Sequence, residues 1–239
     1  MSALNVAGIG KQFVMHLRGG IRIPVISDLS FSVERGECVV LNGPSGAGKS
    51  SVLKMIYGTY AVETGQIFIE HRGGRIDLAS ADPRLMKQVR QKTIGYVSQF
   101  LRVVPRISAI ELVAEPLISE GVEAQVAISR AKPLLERLNV PEALWALPPA
   151  TFSGGEQQRI NIARGFITEH PVLLLDEPSA SLDAKNRQVV IDLIDEKKKA
   201  GVAMLGIFHD PDVRDAVADR LVDVTLAAVR QIQPEQAVA

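Results

Sequence analysis

Gly43-Pro44-Ser45-Gly46-Ala47-Gly48-Lys49-Ser50 stands between a short apolar run, Cys38-Val39-Val40-Leu41, and Ser51-Val52-Leu53-Lys54-Met55-Ile56-Tyr57, whose apolar residues recur at helical spacing. Strand, glycine-rich turn and helix in that order satisfy the G-x-x-x-x-G-K-[ST] pattern in the context it requires. Glycines open backbone conformations closed to other residues, so successive N–H groups can point inward at phosphate oxygens. A helix starting near Lys49 aims its positive dipole end at the same place. Lys49 is expected to reach the β- and γ-phosphates of a nucleotide, and the Ser50 hydroxyl to ligate Mg²⁺. Ser51 completes the expected binding loop.

Working outward, the 239 residues are 46% hydrophobic and 23% charged, enough apolar material for a core and far from a disordered composition. Lys+Arg and Asp+Glu both number 27, so the basic surplus of a phosphate-neutralising nucleic-acid binder is missing, and no nucleic-acid partner is expected. The lone Cys38 suits a reducing compartment and reads as a small buried hydrophobe on a strand. Residues 1–11 lack a basic segment followed by an apolar run, and the apolar runs are far too short to cross a bilayer. The expectation is a soluble, cytoplasmic chain that leaves any membrane to another protein.

Residues 26–33, 65–70 and 93–98 read as strands, and 71–75, with Gly73-Gly74, as a turn. Residues 108–119, 124–138 and 141–146 read mainly as helices, broken by Pro105, Pro116, Gly121 and Pro148-Pro149. A helix over 155–167, a buried strand over 172–175, an amphipathic helix over 185–200 ending at Gly201, and a strand over 202–208 follow. Strand and helix alternate at both ends around a helical insertion, which predicts a mostly parallel α/β sheet.

Two further stretches carry chemistry. Val172-Leu173-Leu174-Leu175-Asp176-Glu177 ends an apolar strand in carboxylates, placing Asp176 at the carboxyl edge of the sheet, where open α/β folds bind ligands. Asp176 is expected to hold Mg²⁺ through water, and Glu177 to polarise an attacking water. An acidic pair closing a strand also serves as an ordinary start of a helix, but the phosphate loop upstream favours the catalytic reading. Phe152-Ser153-Gly154-Gly155-Glu156-Gln157-Gln158-Arg159 places a glycine pair at a helix start, offering a second set of free N–H groups.

With these residues the chain resembles the ATP-binding-cassette ATPases, whose signature motif is of the LSGGQ type. Gln99 matches the family's Q-loop, Ser181-Leu182-Asp183 its D-loop, His209 its switch histidine, and Phe13 the aromatic that stacks on adenine. Phe152 replaces the usual leucine and Glu156 the usual glutamine; backbone groups and Ser153 are expected to do the binding. The resemblance covers essentially the whole chain and implies a P-loop NTPase fold. Its parts are a RecA-like, mostly parallel sheet core, an N-terminal antiparallel β subdomain and an inserted helical subdomain. One domain over 1–239 is implied, with 1–98 and 160–229 as β subdomain and core, 99–159 as the helical part, 230–239 as a tail, and no further domain after about Val229. Two copies, or a heterodimer of cassettes, are implied to clamp ATP head to tail, the phosphate loop of one facing Ser153, Gly154 and Gly155 of the other. Glu177 and His209 are implied as catalytic, Gln99 as a Mg²⁺ ligand that senses a partner, and Asp183 as part of the nucleotide site.

Three stretches further resemble the L-type ATP-binding subunit of the bacterial carbon–phosphorus lyase system for phosphonate breakdown. They are Ser98-Gln99-Phe100-Leu101-Arg102-Val103-Val104-Pro105-Arg106-Ile107-Ser108, Asn161-Ile162-Ala163-Arg164-Gly165-Phe166-Ile167, and Gly206-Ile207-Phe208-His209-Asp210. That resemblance implies other lyase subunits as partners and a link to forming ribose 1-phosphonate 5-triphosphate from ATP and alkylphosphonate. Two rivals stand beside it: the nucleotide-binding subunit of a membrane exporter of the lipoprotein-release or macrolide type, and a P-loop phosphotransferase, which has no need of the second glycine pair. His16, His71 and His170 lack a catalytic context, and Lys197-Lys198-Lys199 reads as a solvated helix face.

Overall fold

The computed structural model describes residues 2–15, 21–101 and 105–225. His16, the Arg102-Val103-Val104 part of the stretch after Gln99, and the 230–239 tail lie outside these. Among the described residues a five-stranded parallel sheet runs in the order β6 (Ile94–Val97), β7 (Val172–Asp176), β8 (Ala203–Ile207), β3 (Cys38–Asn42), β9 (Arg220–Asp223). Both faces of its centre are covered, which explains the unbroken apolar runs: every residue of β7 and β8 is buried. Alternation sorts these side chains into two cores. Cys38, Val40, Leu173, Leu175 and Met204 pack on one side, and Val39, Leu41, Leu174, Leu205 and Ile207 on the other.

The second core is closed by α1 (Lys49–Ile56), α2 (Pro83–Lys92) and a four-stranded antiparallel sheet. That sheet has the order β2 (Ile21–Glu34), β1 (Ser2–Met15), β4 (Thr64–His71), β5 (Gly74–Asp77). The first core is closed by α3 (Ala109–Ser119), α4 (Ala124–Arg137), α5 (Glu142–Trp145) and α6 (Gly154–Phe166), together with α7 (Ala184–Lys199) and α8 (Pro211–Val217). The chain thus has the P-loop cassette fold expected from its sequence.

Several expectations are corrected. Pro116 does not break its helix; it lies inside α3, where burial of Leu112, Val113 and Leu117 outweighs the lost backbone bond. The turn over 71–75, by contrast, forms as expected, at the tip of a β4–β5 hairpin with Arg72 and Gly73 both at positive φ. Lys197 and Lys198 are not a solvated face. The Lys197 ammonium donates to the Thr168 carbonyl at 2.7 Å, and Lys198 reaches Asp219 at 2.7 Å, fastening the end of α7 to its neighbours.

Candidate functional site

The loop after β3 folds as its glycines allow. Gly43, Gly46 and Gly48 have φ of 140°, 82° and 92°, conformations that side chains resist. A Cβ on Gly48 would stand 2.8 Å from Ile26 Cδ1 and Val25 Cγ1, whereas one on Gly46 would meet no atom within 4 Å. Gly46 therefore faces an open cradle. The cradle belongs to a cavity of about 340 Å³ lined by Phe13, Val25, Ser45, Gly46, Gly48, Lys49, Ser50, Ser51, Glu177 and His209. Lys49, only 9% exposed, donates to the Gly43 and Pro44 carbonyls at 2.6 and 2.8 Å. A buried ammonium bonded to carbonyls alone is poised for an anion. Ala47, whose amide donates to the Pro44 carbonyl at 3.2 Å, closes the turn.

Beneath the cradle, the Ser50 hydroxyl donates to Asp176 Oδ1 at 3.0 Å and the Tyr96 hydroxyl to Oδ2 at 2.9 Å. Burial pushes the Asp176 carboxyl above the usual range, against the pull of these two donors; the Glu177 charge adds to the rise. Glu177 sits at φ 55°, a strained conformation for a glutamate, fixed by its amide bond to the Ile207 carbonyl at 3.0 Å. Its carboxylate takes Gln99 Nε2 at 3.1 Å on one oxygen and lies 2.8 Å from His209 Nε2 on the other. Phe13 packs edge-on to Tyr60, ring centres 5.3 Å apart. The donor set suits Mg²⁺: a hydroxyl, a carboxylate and an amide, all hard oxygen ligands, beside an anion cradle.

Ser153, Gly154, Gly155 and Asp183 do not line this cavity. Ser153 caps α6: its hydroxyl accepts the Glu156 amide at 3.3 Å, while Glu156 Oε2 receives the Ser153 amide at 2.8 Å and hydroxyl at 2.7 Å. Glu156 thus completes a capping box, and the Ser153 bonds hold its carboxyl below its ordinary value. A Cβ on Gly154 would meet nothing within 4 Å, and one on Gly155 would lie 3.1 Å from the Ser181 carbonyl oxygen, so the signature turn adjoins 181–183. Asp183 caps α7 through the Asn186 amide at 2.8 Å, a structural task. Sequence reasoning missed Tyr96 and Val25. Tyr96 was detectable as a hydroxyl-bearing residue in the strand leading to Gln99.

Residues 26–180 match the family described as ABC transporter. The lipoprotein-releasing system ATP-binding protein LolD of Shewanella oneidensis is 34% identical over 209 residues, 87% of each chain. The arginine transport ATP-binding protein ArtP of Haemophilus influenzae is 35% identical over 196 residues, covering 82% of this chain and 80% of that one. Among solved structures, the dimeric post-hydrolysis state of the ATP-binding cassette MJ0796 bound to ADP and Pi superposes with a TM-score of 0.83 at 26% identity, over 92% of this chain and 93% of the other. A phosphate cradle, a strand-end carboxylate pair and a capped glycine turn at a second helix start thus occur together in a chain that belongs to the ABC transporter ATP-binding family, ATPases that take ATP with Mg²⁺.

Proposed function

We propose that this chain is the ATP-hydrolysing engine of an ABC system, working as a head-to-tail pair of copies. ATP and Mg²⁺ would lie between residues 43–51 of one copy and the Ser153–Gly155 turn of the other. The observation that carries this is the division of the candidate residues. Gln99, Asp176, Glu177 and His209 gather at the cradle, while the capped, open turn at Gly154 has no ligand of its own chain to hold. That the cassette MJ0796 is dimeric supports the same reading.

In this account the amides around Gly46 and Gly48, with Lys49, grip the β- and γ-phosphates, and Phe13 takes the adenine. Ser50, Gln99 and Asp176 hold Mg²⁺, which neutralises phosphate charge when bound. Glu177 accepts a hydrogen bond from the attacking water, and His209 steadies that carboxylate and reaches the γ-phosphate. The water oxygen bonds to phosphorus, ADP leaves with the bridging oxygen, and the proton passes through Glu177 to solvent.

Lipoprotein-releasing proteins recur among the relatives, which favours a membrane permease of the exporter type, with this chain at its cytoplasmic face. Among the described residues no helix is long and apolar enough to cross a membrane, in keeping with that division of labour. The phosphonate-lyase reading rests on residues 98–108, 161–167 and 206–210 and receives no support from the relatives' names. It is kept second because an arginine-transport protein matches as closely as the lipoprotein-releasing ones, so identity near a third reports the engine more than its cargo. Affinity purification of the tagged chain from its host separates the two. Co-purification of a permease supports the first, and of phosphonate-lyase subunits the second. Purified chain that hydrolyses no ATP with Mg²⁺ overturns the proposal.

A further inference from the structure

We propose that Arg187 is a positioning residue that ties the 181–183 turn to His209, so that what lands on the signature turn of one site is felt in the hydrolytic centre of the other. The inference rests on the paired-site reading above.

Arg187 closes the first turn of α7, and its planar guanidinium joins two segments distant in sequence. Nε donates to the Leu182 carbonyl at 3.0 Å, and Nη1 lies 2.5 Å from Asp210 Oδ2. At one end of this bridge, Leu182 is buried, Ser181 sits at φ 63°, and the Ser181 carbonyl packs closely on Gly155, 3.1 Å from where a Cβ would stand. Any nucleotide phosphate received by Ser153 and Gly155 therefore loads this turn. At the other end, Asp210 directly follows His209, and its remaining oxygen caps α8 through the Asp212 and Val213 amides at 3.0 and 3.4 Å. His209 Nε2 is in turn 2.8 Å from Glu177 Oε1. Turn, guanidinium and Asp210 carboxylate are thus joined by hydrogen bonds, Asp210 to His209 by the backbone, and His209 to Glu177 by side-chain contact.

Stability alone does not account for the arrangement. The Arg187 side chain is 40% exposed, and a pair that open to water contributes little to folding. What arginine adds is a rigid fork able to serve a carbonyl and a carboxylate at once; a lysine ammonium in its place keeps the charge and loses the fork.

The test is Arg187→Lys, with Asp210→Asn beside it, since asparagine caps a helix as well as aspartate. Each is expected to lower kcat for ATP on the order of tenfold or more, the scale of a slight misplacement of catalytic groups, with KM for ATP unchanged. In a Glu177→Gln background each should still form the ATP-bound dimer. The double variant should be no slower than the worse single one, because both cut the same chain. Arg187→Lys hydrolysing within about twofold of wild type overturns the inference and leaves the proposed function standing. A parallel loss of kcat, ATP affinity and melting temperature assigns Arg187 to the fold and also overturns it. Wild-type chain without ATPase activity sinks the proposed function itself, and this inference with it.

Discussion

Gly46→Ala and Gly73→Ala are matched perturbations with different expected consequences. Both glycines have positive φ, 82° and 77°, and at both a Cβ would meet no protein atom within 4 Å. Each alanine therefore costs folding only the left-handed backbone strain, about 1–2 kcal/mol. For a chain of this size that lowers the melting temperature by about 2–8 °C. Their surroundings differ: Gly73 tips the β4–β5 hairpin, while Gly46 faces the cradle. A methyl there displaces phosphate from the loop amides, and losing one charge-assisted hydrogen bond costs about 1.5–3 kcal/mol. ATP affinity should fall about 10- to 150-fold for each bond lost. Gly48→Ala adds contacts of 2.8 Å with Ile26 and Val25 to the same strain, an overpacking cost of about 1–3 kcal/mol more. Thermal unfolding without nucleotide and equilibrium titration with a fluorescent ATP analogue read the two effects separately. Gly46→Ala binding ATP as tightly as Gly73→Ala would mean that the cradle does not hold the phosphates.

Glu177→Gln should leave ATP binding intact and slow hydrolysis about 10²- to 10⁴-fold, the usual worth of a general base, as measured by phosphate release. Asp176→Asn should abolish Mg²⁺-dependent hydrolysis without lowering the melting temperature of the nucleotide-free protein, because it removes a carboxylate that burial disfavours. The sign follows from the raised pKa: the folded state holds the Asp176 proton more tightly than the unfolded chain. Its ionisation therefore subtracts from stability as pH rises through that interval, and the variant's advantage should shrink toward acid pH. Cys38 is fully buried, and burial pushes its thiol up to about 12. A thiol reagent should leave it unmodified in the native protein at neutral pH and modify it once urea unfolds the chain.

The nucleotide half of the site was legible because its pattern is local. Loop 43–50 and residues 172–177 each carry backbone and chemistry within eight or fewer positions, between strands whose double-sided burial leaves a continuous apolar run. Elements whose order depends on distant partners were harder to read. β1 was missed because register shifts at Ser2/Leu4, Val6/Ile9 and Ile9/Lys11 break the alternation that marks a strand. α2 carries only Leu85, Met86 and Val89 as apolar residues in its ten, so its periodicity was faint despite the Asp82 cap and Pro83. α8 and β9 are short, and β9 has no fully buried residue. The Tyr96–Asp176 and Arg187–Asp210 bonds join residues 80 and 23 positions apart, and only the folded chain brings them into contact.

If each nucleotide is shared between two copies, mixing two differently damaged variants restores a whole site. In a Glu177→Gln background, Lys49→Ala spoils the phosphate loop and Ser153→Arg the opposing turn. Head-to-tail pairing of the two variants gathers both defects into one site and leaves the other whole. Gel filtration with labelled ATP and Mg²⁺ should show no ATP-loaded dimer for either variant alone, and a dimer carrying one ATP per two chains for the mixture. A mixture that stays empty, or a Ser153→Arg chain that retains ATP-loaded dimer by itself, would contradict the account.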